Sequence, residues 1–430
     1  MTYEEAIDWI HSREKFKIKP GLKRMEWMMK RLGHPEKGLN AIHIAGTNGK
    51  GSTLSFIRSL LQQQGNQVGT FTSPYIITFN ERISIDGVPI RDEEWVDLVS
   101  AIRPLAEELG ETSLGEPTEF EVITAMAILY FNKAELDFVI FEAGLGGRYD
   151  STNIISPIMT VITNIGLDHI NILGDTYEQI AAEKAGIIKQ GVPLITAVDD
   201  DIAFKVIKEE ADDKGAQVFR LGKEFSVLRK ESTNDGEQFT FTMKDYISEP
   251  FLTRLKGRHQ VLNASVALAA VEILSIEYHF DRAIYQKGIM STDWPGRFEQ
   301  ISTNPAVVLD GAHNEEGTIS MIDTLKVHFP HHKKYLLYAA LSDKPITGML
   351  SRLAGSFDRV IFTGFAFPKS MKGSELLQLY PGENADSTED WKSSLEDIMS
   401  NLNQDDVLVV TGSLYFVSEV RKYLEYRKNV

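Results

Sequence analysis

The eight residues Gly46-Thr47-Asn48-Gly49-Lys50-Gly51-Ser52-Thr53 constrain this chain more than any other stretch, because an apolar strand-like run at 41–45 leads in and a helix-like run leads out. Strand, glycine-rich loop and helix in that order make a phosphate cradle. Glycines at 46, 49 and 51 let the backbone turn tightly and aim its N–H groups inward, the helix N-terminus adds partial positive charge, and Lys50 adds a full one. Polyphosphate is the guest that this chemistry suits. The spacing departs from the usual P-loop, since only two residues separate Gly46 from Gly49 and Gly51 stands between Lys50 and Ser52. The alternative is a glycine-rich turn that merely caps a helix; a lysine followed by two hydroxyls in this context argues against it.

Around the loop, apolar runs at 41–45, 68–72, 138–141, 159–163 and 193–198 read as strands, and 52–64, 121–131 and 177–189 as helices. The alternation predicts an α/β fold with a mainly parallel sheet covered by helices. In such sheets ligands gather at the carboxyl ends of the strands, so the loops at Gly46, Ser73, Glu142 and His169 are expected to face one crevice. From 225 to 247 short alternating strands around Asn234-Asp235-Gly236 predict an antiparallel flap, and helical periodicity returns over 260–274. Asp293-Trp294-Pro295-Gly296-Arg297 is the expected hinge. A second alternating series follows it, with strands at 306–309, 335–339, 359–363 and 407–410. Two α/β domains, 1–293 and 294–430, facing one another across a cleft are the expected organisation, which a length of 430 residues favours over a single core.

Composition narrows the function. The chain has no cysteine, which excludes disulfides, thiol nucleophiles and cysteine metal sites and agrees with a reducing cytosol. The first residues carry no basic n-region or apolar h-region, and no run reads as long and charge-free enough to span a bilayer. A cytoplasmic protein without a membrane partner is expected. A net charge of −16 argues against a general nucleic-acid binder. Arg13, Lys15, Lys17, Lys19, Lys23 and Arg24 form a local basic run that could meet an anionic substrate, although such a run is usually a solvated face.

Several strand ends carry candidate chemistry. Ser73 and Arg82 lie in the segment 71–83, where Ser73 is a plausible Mg²⁺ ligand and Arg82 a plausible partner for an anion. Taken singly, a turn cap and a surface ion pair explain them better. Glu142 follows four apolar strand residues, which poises it at the sheet edge as a Mg²⁺ ligand; the glycines behind it are read as close chain approach to a ligand and not as a dinucleotide fingerprint. His169, beside Asp168, is a candidate for a metal or acid/base role. Lys184 lies among small and apolar helix residues, where an unpaired ammonium is costly, so it is expected to be paired or chemically altered. Arg297 could meet phosphate and Asp310 ribose hydroxyls, with hinge packing and a helix cap as their plainer explanations.

Taken together, GTNGKGST, FTSPYI with NERI, PTEFE, FEAGLGGR, GLDHINILG, AEKAGIIK, PGRFE, DGAHN and TGSLYFVS occur in an order that resembles the folylpolyglutamate synthases, bacterial members of the Mur ligase superfamily, over nearly the entire chain. The resemblance implies an N-terminal P-loop ATPase domain and a C-terminal Rossmann-like domain, acting as a monomer on ATP, a folate and L-glutamate. It implies that Gly49, Lys50, Gly51, Ser52, Asn263, Arg297 and Asp310 bind ATP, and that Ser73, Glu142 and His169 hold magnesium. It further implies that Lys50, Glu142, His169 and a carbamylated Lys184 serve catalysis. Arg82, Thr118, Phe120 and Glu121 fall where the family contacts folate, and His313 and Ser413 near its glutamate pocket. The implied reaction phosphorylates the terminal folate carboxylate and lets the glutamate amine displace phosphate, in some members with dihydropteroate as a second acceptor.

Two other readings compete. A ligase acting on a cell-wall nucleotide peptide would need a further N-terminal domain, and only about 40 residues precede the first strand. A nucleotide-regulated folate-binding protein without turnover would not need the full metal set.

Overall fold

The computed structural model describes residues 1–16 and 21–428. Lys17 and Lys19 of the basic run lie outside the described residues. Of its other members, Arg13 and Arg24 are buried, Arg13 paired with Glu116 and Arg24 with Glu121, so this part of the run is not a solvated face.

By contacts the chain divides into two compact units. One comprises Met1–Val227, Phe241–Glu249 and Leu262–Ser291, and the other Leu228–Thr240, Pro250–Val261 and Thr292–Val430.

The first unit is built on an eight-stranded sheet. Its strands are β1 (Ala41–Ala45), β2 (Val68–Phe71), β3 (Ile83–Ile85), β4 (Val88–Pro89), β5 (Phe138–Glu142), β6 (Met159–Ile162), β7 (Leu194–Thr196) and β8 (Val218–Arg220), in the order β4-β3-β2-β5-β1-β6-β7-β8. From β2 to β8 across the sheet all pairs are parallel, and β3 and β4 add an antiparallel hairpin at one edge. β1 and β5 are buried at every position, which is why they read as near-continuous apolar runs, interrupted by His43 in β1 and ending on Glu142 in β5, instead of alternating ones.

Register then places the chemistry. Ile44 pairs with Glu142, Ala45 with Ile162 and Phe71 with Phe141, so the loops leaving β1, β2, β5 and β6 emerge from the same edge. The connection from β1 to β2 passes β5, and that from β5 to β6 passes β1 in the opposite sense. β1 therefore lies at a topological switch point, where open sheets of this kind take their ligands. Against the sheet, the Glu119–Ala134 helix buries Val122, Ile123, Met126, Ile128 and Phe131 in a core shared with Ile10, Met28 and Trp95.

The flap comprises β9 (Phe225–Thr233), β10 (Gly236–Met243), β11 (Tyr246–Ile247) and β12 (Phe251–Thr253), with β10 antiparallel to β11 and β12 and also paired with β9. Along β10, Phe239, Phe241 and Met243 are buried on alternate positions, the period expected of a strand with one covered face. The helix Arg258–Tyr278 is long and apolar enough to cross a membrane by length and composition, which corrects the expectation that no run would be. Its apolar window is 61 % buried within the structure, as in a core helix, so it is weak support for a span.

The second unit carries a six-stranded sheet of β13 (Glu299–Thr303), β14 (Ala306–Leu309), β15 (Lys333–Tyr338), β16 (Arg359–Thr363), β17 (Ala385–Thr388) and β18 (Asp406–Thr411). The order is β13-β14-β18-β15-β16-β17, with all pairs parallel except that of β13 with β14. β18 is inserted between β14 and β15, so Asp310 and Ser413, just beyond β14 and β18, leave the sheet from neighbouring strand ends.

Candidate active site

Between β1 and the Lys50–Gln63 helix, the phosphate loop needs glycine at two places. Gly49 caps the helix in the left-handed conformation, φ 81°, and a Cβ there would fall 2.4 Å from Asn263 Oδ1. At Gly46, φ 152°, a Cβ would lie 1.9 Å from Thr163 Oγ1. Lys50, Gly51 and Ser52 then form the first turn of the helix, with Ser52 buried.

The end of β6 fastens this loop. Thr47 N–H donates to the Asn164 carbonyl at 3.2 Å, Asn48 N–H to Asn164 Oδ1 at 2.8 Å, and Thr163 Oγ1 to the Asn48 carbonyl at 2.6 Å. Gly166 N–H donates to Thr47 Oγ1 at 2.9 Å. Thr163 and Asn164 thus hold the loop's shape, a role for which their only sequence signal is position at the end of a predicted strand and directly after it.

Two lysines converge on Gly46. Lys50 Nζ donates to the carbonyls of Gly46 at 3.0 Å and Thr47 at 3.2 Å, and lies 4.0 Å from Glu142 Oε1. Lys184, buried on the Tyr177–Ala185 helix, donates to the same Gly46 carbonyl at 2.9 Å. Burial, with the Lys50 ammonium nearby, pushes the Lys184 amine down to about 7, while Asp168 and Asp150 act against that shift. A lysine so placed is neutral for part of the time at neutral pH.

Glu142 is buried, and its Oε2 accepts the Ser73 N–H at 3.3 Å. A serine hydroxyl and a carboxylate at one sheet edge are hard oxygen donors of the kind magnesium takes, so Ser73 and Glu142 fit that ion. His169 is more open, in the left-handed conformation at φ 52°, with its Nε2 3.9 Å from Asp168 Oδ2. Among the described residues, the His and carboxylate groups whose ligand atoms come within 4.8 Å of one another are different ones, His11, Glu14 and Glu119. Arg82 acts electrostatically on all three, which disfavours a further cation there.

The Arg82 guanidinium lies 5.5 Å from the Tyr75 ring centre and 5.3 Å from that of Phe79, with its buried Nε lacking a hydrogen-bond partner among the described residues. Thr118 caps the Glu119–Ala134 helix, and Glu121 closes the capping box by accepting Thr118 N–H at 2.8 Å. Arg24 Nε bridges both Glu121 oxygens at 2.9 Å. Phe120 packs 5.7 Å from Phe71, ring to ring, and covers Gly144, where a Cβ would meet it at 2.6 Å.

In the second unit Asp310 is buried and accepts the N–H groups of Phe298 and Ala312, both at 2.8 Å. It is not a helix cap; Asn314 caps the following helix. Burial raises the Asp310 carboxyl, against the pull of Arg297 and of the two N–H groups. Phe298 is held in the left-handed region, φ 46°, a strained conformation for a bulky residue and one placed directly after Arg297. His313 Nδ1 lies 2.8 Å from the Gly311 carbonyl. Ser413 is 2 % exposed, and its Oγ has no hydrogen-bond partner among the described residues.

Two family models match the chain: the Mur ligase middle domain over residues 44–271 and the Mur ligase, glutamate ligase domain over residues 296–414. The dihydrofolate synthase/folylpolyglutamate synthase of Bacillus subtilis is 47 % identical over 427 residues, covering 99 % of each chain. Among solved structures, Mycobacterium tuberculosis folylpolyglutamate synthase complexed with ADP superposes with a TM-score of 0.91 at 30 % identity, covering 98 % of both chains. Escherichia coli FolC in complex with DHPP and ADP gives a TM-score of 0.90 at 27 % identity, covering 100 % of this chain and 99 % of that one.

Proposed function

The chain belongs to the Mur ligase family, among its folylpolyglutamate synthases, and we propose that the groups gathered around the phosphate loop activate the terminal carboxylate of a folate for amide formation with L-glutamate. The chain is an ATP-dependent amide ligase. The observation that carries the assignment of roles is the convergence of Lys50, Glu142 and Lys184 at the switch-point edge of the sheet.

ATP phosphates would lie along the N–H groups of Gly49, Gly51 and Ser52, with Lys50 turning from the Gly46 and Thr47 carbonyls toward the transferring phosphoryl group. Asn263, Arg297 and Asp310 would complete the nucleotide contacts. A folate carboxylate oxygen attacks the γ-phosphorus, ADP leaves, and the neutral α-amine of glutamate then attacks the acyl carbon with loss of phosphate and a proton. Magnesium, held by Ser73, Glu142 and His169, would supply charge neutralisation on the phosphoryl oxygens. No protein nucleophile is required.

Lys184 fits a carbamate. Its neutral amine can attack the carbon of CO₂, form an N–C bond and lose a proton, which replaces a disfavoured buried ammonium with an anion beside the phosphate loop. Arg82, Thr118, Phe120 and Glu121 would contact the folate, and His313 and Ser413 the incoming glutamate. ATP chemistry would belong to a domain at 1–293 and glutamate ligation to one at 294–430, in a cytoplasmic monomer.

A second acceptor, dihydropteroate, is favoured by the double name of the Bacillus subtilis relative. The test is ADP release by the purified protein with magnesium and glutamate, in parallel with tetrahydrofolate and with dihydropteroate, with product masses read out. Ligation predicts a mass gain of one glutamyl residue that depends on every substrate; ADP release without such a product would sink the reading.

A further inference from the structure

Away from the proposed catalytic groups, the second unit encloses a carboxylate on β10. Glu237 is 0 % exposed. Its Oε2 accepts from Arg229 Nε at 2.9 Å and Ser232 Oγ at 2.6 Å, and its Oε1 accepts the Gly257 N–H at 2.8 Å and lies 3.0 Å from His328 Nε2. Burial alone would raise this carboxyl, but the bonds from His328, Ser232, Gly257 and Arg229 hold it down to about 2, so it is an anion throughout the physiological range.

The two oxygens serve different ends. Oε2 is satisfied by residues of its own hairpin, whereas Oε1 reaches the residue immediately before the Arg258–Tyr278 helix and the last turn of the Glu315–His328 helix. Gly257 is tightly enclosed, since a Cβ there would fall 2.5 Å from Thr324 Oγ1 and 2.7 Å from His259 Cε1. Two residues on, burial of the His259 ring and the neighbouring Arg297 guanidinium push that imidazole down to about 4. A neutral ring can stand beside a guanidinium without repulsion.

We propose that Glu237 is a positioning residue for nucleotide binding: through Oε1 it fixes Gly257, enclosed by the His259 ring, and holds His328, whose ring lies 6.2 Å from that of Phe298, the left-handed residue directly after Arg297. This rests on the assignment of Arg297 as a nucleotide contact. A merely structural carboxylate would set how much enzyme is active; a positioning one sets how well ATP is bound.

Steady-state kinetics of the full-length protein with ATP varied separate the two. Glu237→Gln is expected to raise KM for ATP about tenfold with kcat within about twofold, the scale of one charge-assisted hydrogen bond. His328→Leu should shift KM in the same direction, and His328→Arg, which keeps an N–H donor for Oε1, should restore it. A fall in kcat with KM for ATP unchanged in Glu237→Gln overturns the proposal. Should Glu237→Gln fail to fold, the His328 pair decides: equal KM values for His328→Leu and His328→Arg reject it. Arg297→Lys separates the nucleotide role of Arg297 from the positioning role of Glu237. If it leaves KM for ATP unchanged, the nucleotide role of Arg297 and the proposal fall together. If it raises KM while Glu237→Gln and His328→Leu do not, the positioning role alone falls.

Discussion

Lys184 donates to the Gly46 carbonyl at 2.9 Å, so the buried lysine ties the Tyr177–Ala185 helix to the first glycine of the phosphate loop. The amine is held at about 7 against an ordinary 10.5, and between those values the unfolded chain binds more protons than the folded one. With the amine unmodified, stability therefore rises with pH across that window and is flat below it.

Carbamylation needs the neutral amine. After CO₂ is stripped from the enzyme, the rate of reactivation by bicarbonate at fixed dissolved CO₂ should climb through about pH 7 and level off above it. Ligase activity sampled during re-addition reads this directly, and a reactivation rate independent of pH would remove Lys184 from the explanation.

Gly49→Ala puts a methyl group 2.4 Å from Asn263 Oδ1 and forces an alanine to φ 81°. The left-handed conformation alone costs about 1 to 2 kcal/mol, and the displaced amide adds to it. A lower thermal midpoint and a higher KM for ATP are expected together, because the strain falls on the loop that would hold the phosphates. Differential scanning fluorimetry measures the midpoint, and steady-state kinetics with ATP varied measure the KM.

The legible parts of this fold are those where burial on both faces leaves a near-continuous apolar run. β1 and β5 announce themselves in that way, and their last residues lead directly to Gly46 and Glu142. β3 and β4, of three and two residues, are too short to show a period, and the exposed β4 has no apolar face to reveal it. The N-terminal helices Tyr3–His11 and Lys23–Arg31 are hidden for another reason: the charged residues in and between them resemble a solvated surface until Arg13 and Arg24 are seen buried against Glu116 and Glu121. In the site, Lys50 and Glu142 stood out because a charge at a strand or loop boundary is conspicuous. Thr163 and Asn164 did not, since their contribution lies in which loop carbonyls and N–H groups they meet, a tertiary fact.

Arg24 and Glu121 are 7 % and 4 % exposed, which makes theirs a buried ion pair whose single breakage strands a charge. Arg24→Ala should destabilise the protein by about 3 to 5 kcal/mol, whereas Arg24→Met combined with Glu121→Leu should recover much of that loss. Denaturant midpoints of the three proteins test the pair. If Arg24→Ala unfolds at the wild-type midpoint, the contact is not holding the N-terminal helix to the Glu119–Ala134 helix.

Ser413 offers the opposite sign. Its hydroxyl is buried just beyond β18 with no hydrogen-bond partner among the described residues, and an unsatisfied buried hydroxyl costs about 1 to 3 kcal/mol relative to a paired one. Ser413→Ala, which removes the hydroxyl, should therefore leave the free protein as stable as before or more so. If the hydroxyl instead waits for a carboxylate of the incoming glutamate, Ser413→Ala should raise KM for glutamate by roughly tenfold, with KM for ATP unchanged. Thermal unfolding and glutamate-dependent kinetics on one preparation decide between these roles. A destabilised Ser413→Ala protein with normal glutamate dependence would show that the hydroxyl serves the fold and not the substrate, because a group that stabilises the free protein must already be bonded within it.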